Sequence, residues 1–378
     1  MSSDGDRASV WKDARNVLCV RLDGLGDLLM TAPAIRALRA VRRDRRITLL
    51  ASQAGVDASA LLPEIDATIR FDAPWMKATT SPSSEATLAM RERLAAERFD
   101  AAVIFTVYSQ NPLPGALLCH LAGIPLRLAH CRENPYALLT DWVPETEPFT
   151  QVRHEVRRQL DLVALVGANS ADSAMRIAIP ASGRDEMARV LEELGAANAT
   201  RIVVMHPGAS APSRRYPVER LATVARQLSE QTGARVIVTG GNEERHLAAS
   251  ICASGHAQDA SGKLTLPALC ALIERAALLV SNNTAPAHIA SSVGTPVVDL
   301  YALTNPQHTP WRVPSRVLFH DVPCRYCYKS ICPQGHHQCL RGVSVEQVVD
   351  ASLDLLAGRE RRPSPLPRVD RPARRTIA

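Results

Sequence analysis

The chain has 378 residues, 46% apolar and 22% charged, with 19 Gly and 26 Pro. At about 150 residues per domain this length points to two domains, each able to bury a core, and the composition excludes coiled coil, collagen and wholesale disorder. The formal charge of +6 is misleading, because seven Arg against Glu360 and Asp370 between Arg359 and Ala378 leave the other 358 residues at +1. A basic tail is indicated, a nucleic-acid-binding body is not.

No apolar run approaches the roughly 20 residues of a membrane-spanning helix. The stretch from Met1 to Asp6 is polar and lacks the apolar centre of a signal peptide, so a cytosolic protein is expected.

In chain order, the apolar run Asn16–Leu22 predicts a strand that ends in Gly24 and Gly26, and Leu28–Val41 has helical spacing with Pro33 near its first turn. Ile47–Leu50 predicts the next strand, Thr79–Ser84 a loop, Glu85–Arg98 a helix and Ala101–Val107 a further strand. A second cycle follows one helix over Arg184–Leu194. It runs as strand Arg201–Met205, helix Val218–Gln231, strand Ala234–Thr239 and helix Glu243–Ala253. Helix Leu266–Arg275, strand Ala277–Val280, a short helix over 286–292, strand Pro296–Leu300 and helix Val345–Leu356 complete it. Short apolar strands separated by amphipathic helices predict parallel sheets covered on both faces. The expected fold is α/β, two doubly wound Rossmann-like domains facing across a cleft. Their expected limits are 15–180 and 181–357, with a disordered Pro/Arg tail over 358–378.

Ligands of open α/β sheets bind at the carboxyl ends of the strands, and four such ends are polar here. The first is Arg21-Leu22-Asp23-Gly24-Leu25-Gly26-Asp27, where Asp27 reads either as an N-cap carboxylate or as a general base. A dinucleotide fingerprint is incomplete, since Leu29 stands where its third glycine belongs. The second is His206-Pro207-Gly208, followed by Arg214-Arg215-Tyr216-Pro217. Two adjacent Arg before a helix suit a diphosphate, the alternative being a solvated basic loop. In the third, Gly240-Gly241-Asn242-Glu243, the Glu243 carboxylate either meets ribose hydroxyls or favours a helix N-terminus. The fourth is Ser281-Asn282-Asn283-Thr284-Ala285-Pro286-Ala287-His288; it places Thr284 where a phosphate meets a helix start, with His288 one turn on as a ligand contact or a structural histidine.

These loops, taken in order over roughly residues 16–356, resemble glycosyltransferase family 9, the ADP-heptose:lipopolysaccharide heptosyltransferases and their relatives. The opening run from Val20 to Arg36 carries the resemblance, together with Ala122-Gly-Ile-Pro-Leu-Arg127, the His206 loop, Gly240-Gly-Asn-Glu243, Ser281–His288 and Gly294-Thr-Pro-Val-Val298. The resemblance implies a GT-B architecture, with an N-terminal acceptor domain and a C-terminal nucleotide-sugar domain. It further implies inverting transfer of heptose from an ADP-sugar donor to a lipid-linked or lipopolysaccharide core acceptor, at the cytoplasmic face of the inner membrane. In that family the position of Asp27 is the base, and the position of Arg214 is commonly a Lys on the diphosphate, with Arg215 beside it. An acid at or beside Glu243 binds ribose, Thr284 and His288 lie on the phosphate side, and Gly26, His206, Gly208, Asn283 and Ala285 are expected to bind donor or substrate as well. The family's Asp-Thr/Ser-Gly is Asn283-Thr284-Ala285 here, a departure near the sugar that leaves open another nucleotide-sugar or a protein, glycan or metabolite acceptor. A nucleotide-sugar-binding protein without turnover is the non-enzymatic alternative. No catalytic metal is expected.

Cys324, Cys327, Cys332 and Cys339 crowd into 16 residues, whereas the other five cysteines are scattered in apolar surroundings. In a reducing compartment that density points to a structural Zn or Fe, with His336 and His337 as alternative ligands and disulfides or free thiols as the other readings. The segment resembles one in heptosyltransferase II-like members of the family, some protein-modifying relatives of which bind iron there.

Overall fold

Asn16–Arg21 (β1) is an unbroken apolar run, and every residue after Asn16 is buried, as expected of a central strand covered on both faces. In the computed structural model, which describes residues 4–77, 83–359 and 366, it is flanked by Arg46–Ala51 (β2) and Ala101–Ile104 (β4). Ala67–Arg70 (β3), Leu126–Cys131 (β5) and Asp141–Pro144 (β6) complete a six-stranded sheet, parallel throughout, in the order β3-β2-β1-β4-β5-β6. The second sheet repeats this order. Ile202–His206 (β7), Arg235–Val238 (β8), Ala257–Asp259 (β9), Leu278–Asn282 (β10), Val297–Leu300 (β11) and Ser315–Leu318 (β12) lie as β12-β11-β10-β7-β8-β9, again parallel. Each sheet therefore reverses direction of growth between its first and fourth strands. That reversal opens a crevice at the strand carboxyl ends in each domain.

The chain divides into one unit ending at Arg176 and another beginning at Ile177, four residues ahead of the 180/181 limit read from sequence. Each unit has its own core: Leu18, Val20, Leu50, Ala102 and Ile104 lie in the first, and Val203, Met205, Val236, Val280 and Val298 in the second.

Several elements differ from the sequence expectation. The first helix of the β1 cycle begins at Leu25 rather than Leu28, with Gly24 at the N-cap, so Asp27 lies in the first turn and is not the cap itself. Strand β4 stops at Ile104 instead of Val107; Phe105 still donates to the Val20 carbonyl, after which the chain turns over the sheet end. Helices Asp4–Asp13, Leu113–Leu121 and Glu155–Ala164 and strands β3, β5, β6, β9 and β12 were not anticipated. Trp11 explains how the first of these is held: its indole is buried and donates to Asp141 at 2.9 Å. Residues 79–82 of the expected loop, and all of the expected tail except Gly358, Arg359 and Leu366, lie outside the described residues.

Candidate active site

In the first unit the crevice beside β1 holds a cavity of about 650 Å³. Its floor is the ends of β1 and β4, through Leu22, Ile104 and Phe105, and its rim carries Asp23, Trp75, Lys77 and Gln110. The residues after Ile104 that sequence placed in a strand thus supply cavity wall. Trp75 is braced edge-on by Phe71, with ring centroids 5.6 Å apart.

The loop after β1 is organised around Arg21, which is fully buried. Its guanidinium faces Asp23 at 3.1 Å, Asp27 at 3.2 Å and Glu155 at 3.1 Å. Burial pushes the Asp23 carboxyl up to about 6 against the opposing pull of Arg21, while Asp27 adds to the rise and Gln110 lowers it. The Arg21 guanidinium is held above its ordinary value, because three carboxylates outweigh a large desolvation cost. Asp27 has 24% of its side chain exposed, and a Cβ built on Gly24, which lines the cavity, would lie 3.7 Å from Asp27 Oδ2. The carboxylate expected to act as base is therefore accessible and sits beside the cavity. Arg21 and Asp23 belong to the loop that sequence singled out, but Glu155 lies 134 residues away and no local signal pointed to it.

In the second unit the reversal point is built from the ends of β7, β8 and β10. Asn282, fully buried, donates through Nδ2 to the Pro207 carbonyl at 2.7 Å and accepts from the Tyr216 backbone at 3.0 Å, which ties three loops together. His206 Nδ1 lies 3.1 Å from Thr239 Oγ1, and burial holds its imidazole below the ordinary range despite Glu244 at 3.8 Å. Glu244, not Glu243, turns into this end of the sheet: it accepts from the Gly241 backbone at 2.9 Å, whereas Glu243 is exposed.

Arg214 and Arg215 stand on different footings. Arg215 Nε donates to the Ala209 carbonyl at 2.9 Å, while Arg214 Nε is buried without a hydrogen-bond partner among the described residues. Thr284 is the N-cap of Ala285–Val293 and makes no side-chain capping bond; Pro286 has no N–H and the Ala287 N–H donates to the Thr284 carbonyl at 3.0 Å, so the Ala285 amide is the one in the first turn left for an anion. Asn283 is buried beside Tyr301, its Nδ2 without a hydrogen-bond partner among the described residues; His288 is buried edge-on to His308, with centroids 6.4 Å apart. Asp299, on the β11 row level with Ser281, is fully buried, and neither of its carboxylate oxygens has a hydrogen-bond partner among the described residues. No local signal marks it, because an Asp within an apolar strand carries no motif.

The four clustered cysteines are thiols that act on one another: Cys327 and Cys332 add to the burial that raises both Cys324 and Cys339. Cys324 Sγ lies 3.7 Å from His336 Nε2. The donor types suit zinc or iron, but among the described residues no three His, Cys, Asp or Glu side chains are gathered closely enough to hold an ion. The same segment is pinned to the arginine loop, since Ser213 donates through Oγ to the Lys329 carbonyl at 2.7 Å and through its backbone to that of Ser330 at 3.0 Å.

Among the described residues no helix is long and apolar enough to cross a membrane. A lipopolysaccharide heptosyltransferase 3 of Escherichia coli is 27% identical over 297 residues, covering 76% of this chain and 83% of that protein. In solved structures, a family 9 glycosyltransferase of Veillonella parvula superposes with a TM-score of 0.75 at 21% identity, covering 91% of this chain and 97% of that one. The E. coli ADP-heptose lipopolysaccharide heptosyltransferase II superposes at 0.71, also at 21% identity, covering 91% and 99%. These likenesses show the GT-B fold of two Rossmann-like domains. Residues 87–337, two-thirds of the chain, match the sequence pattern of glycosyltransferase family 9 (heptosyltransferase), and the chain belongs to that family.

Proposed function

We propose that the protein transfers heptose from an ADP-activated donor to a lipopolysaccharide core acceptor, with inversion. The observation that carries this reading is the pairing of chemistries on the two sheets: a carboxylate beside a cavity in the first unit, and an anion-binding loop pair around Arg214 and Thr284 in the second. The acceptor hydroxyl attacks the anomeric carbon, its proton passes to Asp27, and the bond from that carbon to the diphosphate oxygen breaks. Arg214 and the helix start at Thr284 meet the charge that develops on the departing ADP. Glu244 is assigned to the ribose hydroxyls in place of Glu243, because it is the one turned inward. Residence on the cytoplasmic side, with the basic segment 358–378 drawn to anionic headgroups, belongs to the same proposal.

A second reading, another nucleotide-sugar or an acceptor that is not lipopolysaccharide, is favoured by one observation: the position next to Thr284 is a buried, neutral Asn283. The deciding experiment is transfer by the purified protein from ADP-heptose to a panel of heptose-deficient cores, with Asp27→Asn in parallel. Product from the parent and a loss of about 10²–10⁴-fold in the variant are expected. A folded parent that binds ADP but makes no product on any core would move the reading to the second donor or acceptor.

At the cysteine cluster we propose a structural zinc or iron, which requires the thiols to draw together around the ion.

A further inference from the structure

Arg21 is unusual in being fully buried with a different carboxylate opposite each guanidinium nitrogen: Asp23 on Nε, Asp27 on Nη2 and Glu155 on Nη1. Asp23 and Asp27 lie on the loop and helix turn that follow β1. Glu155 opens the helix Glu155–Ala164 and is itself fully buried. Its Oε1 also accepts from Gln159 Nε2 at 2.6 Å, and Arg158 lies 3.9 Å from the same oxygen. Arg158 is in turn paired with Glu145 and donates to the Thr106 carbonyl, and His130 Nε2 meets the Arg158 backbone carbonyl at 3.1 Å. The charged groups packed here include Arg21, Arg158, Asp23, Asp27, Glu145 and Glu155, with the Arg153–Glu147 pair beside Arg158 and His130; burial and Arg158 push the His130 imidazole down to about 3 and so keep it neutral.

We propose that Arg21 and Glu155 are positioning residues for the transfer step: Glu155 fixes the plane of the Arg21 guanidinium, and Arg21 holds the Asp27 carboxylate beside the cavity. An Asp side chain on a first helical turn has two torsions free to carry it into solvent. A guanidinium hydrogen-bonded to Glu155 through Nη1 and ion-paired with Asp23 beside Nε offers Nη2 in one direction only, and its planar fork loses little freedom in doing so. Glu155 has a second effect through charge. It shares Arg21's positive charge, so that less of it falls on Asp27 and the carboxylate keeps the basicity that proton transfer needs. The inference rests on Asp27 being the base of the proposed function.

The test uses the full-length protein, with Glu155→Gln as the principal variant. Expected are a fall in kcat of about tenfold or more, a donor KM within about twofold of the parent, and an acidic limb of the pH profile moved to lower pH. A merely structural Glu155 would lower the melting temperature and leave that limb in place; a folded variant with parental kcat and parental limb overturns the proposal. If Glu155→Gln does not fold, Arg21→Lys carries the test: it keeps the charge but cannot span three carboxylates, so kcat must fall with donor KM unchanged. A parent that transfers no sugar defeats the functional reading separately. Carbon NMR titration of the Asp27 carboxyl, identified by its loss in Asp27→Asn, still decides positioning, since a curve unmoved by Glu155→Gln overturns it and a shift to lower pH supports it.

Discussion

Glu244 occupies the space that any side chain at Gly208 would need: a Cβ built on Gly208 would lie 1.8 Å from Glu244 Oε1. The glycine of the His206 loop is there for close approach of that carboxylate. Gly208→Ala is expected to displace Glu244, strip the Gly241 amide of its acceptor and weaken donor binding by about tenfold, in line with the roughly 1–3 kcal/mol of an unsatisfied polar group. Calorimetric titration with ADP measures this, and parental affinity would show that Glu244 does not serve the donor.

The unequal anchoring of the two arginines separates their roles. Arg215 is tied to the Ala209 carbonyl, whereas Arg214 has a buried Nε without a hydrogen-bond partner among the described residues. Arg214→Ala should lower kcat/KM for the donor by about 10- to 100-fold, the scale of a charge-assisted bond of roughly 1.5–3 kcal/mol. Arg215→Ala should cost less there and more in thermal stability. Steady-state kinetics with donor varied distinguishes the two.

Trp75 is half-buried at the cavity rim and braced by Phe71, which leaves one face of a rigid ring for a sugar. Trp75→Ala is expected to raise acceptor KM by about three- to tenfold with donor KM unchanged, on the scale of a roughly 0.5–1.5 kcal/mol aromatic contact. A change in donor KM instead would place the acceptor elsewhere.

Asp299 has a consequence for pH. Burial alone holds its carboxyl well above the usual carboxylate range, while in the unfolded chain it ionises near about 4. The native state therefore binds the extra proton. The stability this group contributes is fully present below about pH 4 and is lost as pH rises toward the native ionisation. Asp299→Asn keeps the shape and does not titrate, so it should melt above the parent at pH 8 and lose less stability between pH 5 and pH 8. Melting curves at the two pH values check it; parallel losses would show that the carboxyl has a native partner.

The bonds from Ser213 to Lys329 and Ser330 link the cysteine segment to the arginine loop. Elemental analysis of protein purified without chelator should find about one zinc or iron per chain, lost in Cys324→Ser with Cys327→Ser. Removing the ion should raise donor KM more than acceptor KM, because the loosened segment is the one that holds Arg214's loop. Metal-free protein with parental kinetics would separate the cluster from the donor site.

The alternation of apolar runs and amphipathic helices was legible in sequence because it is a local property: each strand, as at β1 or β7, must be apolar on both faces, and each helix carries its own stripe. The polar strand ends were legible for the same reason, since glycines and polar residues interrupt the runs at Gly24, Gly208, Gly241 and Asn283. Several of the elements missed were short or polar, such as Ala67–Arg70 and Glu155–Ala164, whose burial depends on neighbours far along the chain; the apolar Leu113–Leu121 and Leu126–Cys131 were missed as well.

By itself, then, the sequence determined two doubly wound domains and the loops from which a site is drawn. Only the tertiary structure decided which of those loops meet, because β1 lies between β2 and β4 and β7 between β8 and β10, an order that no local pattern encodes. That order brings Glu155 to Arg21 and Asn282 to Pro207, and the turn after Gly241 points Glu244 inward while Glu243 faces solvent. The raised ionisation of Asp299 arises at the same level, since a carboxyl is held well above its usual range only when the folded chain removes water from around it.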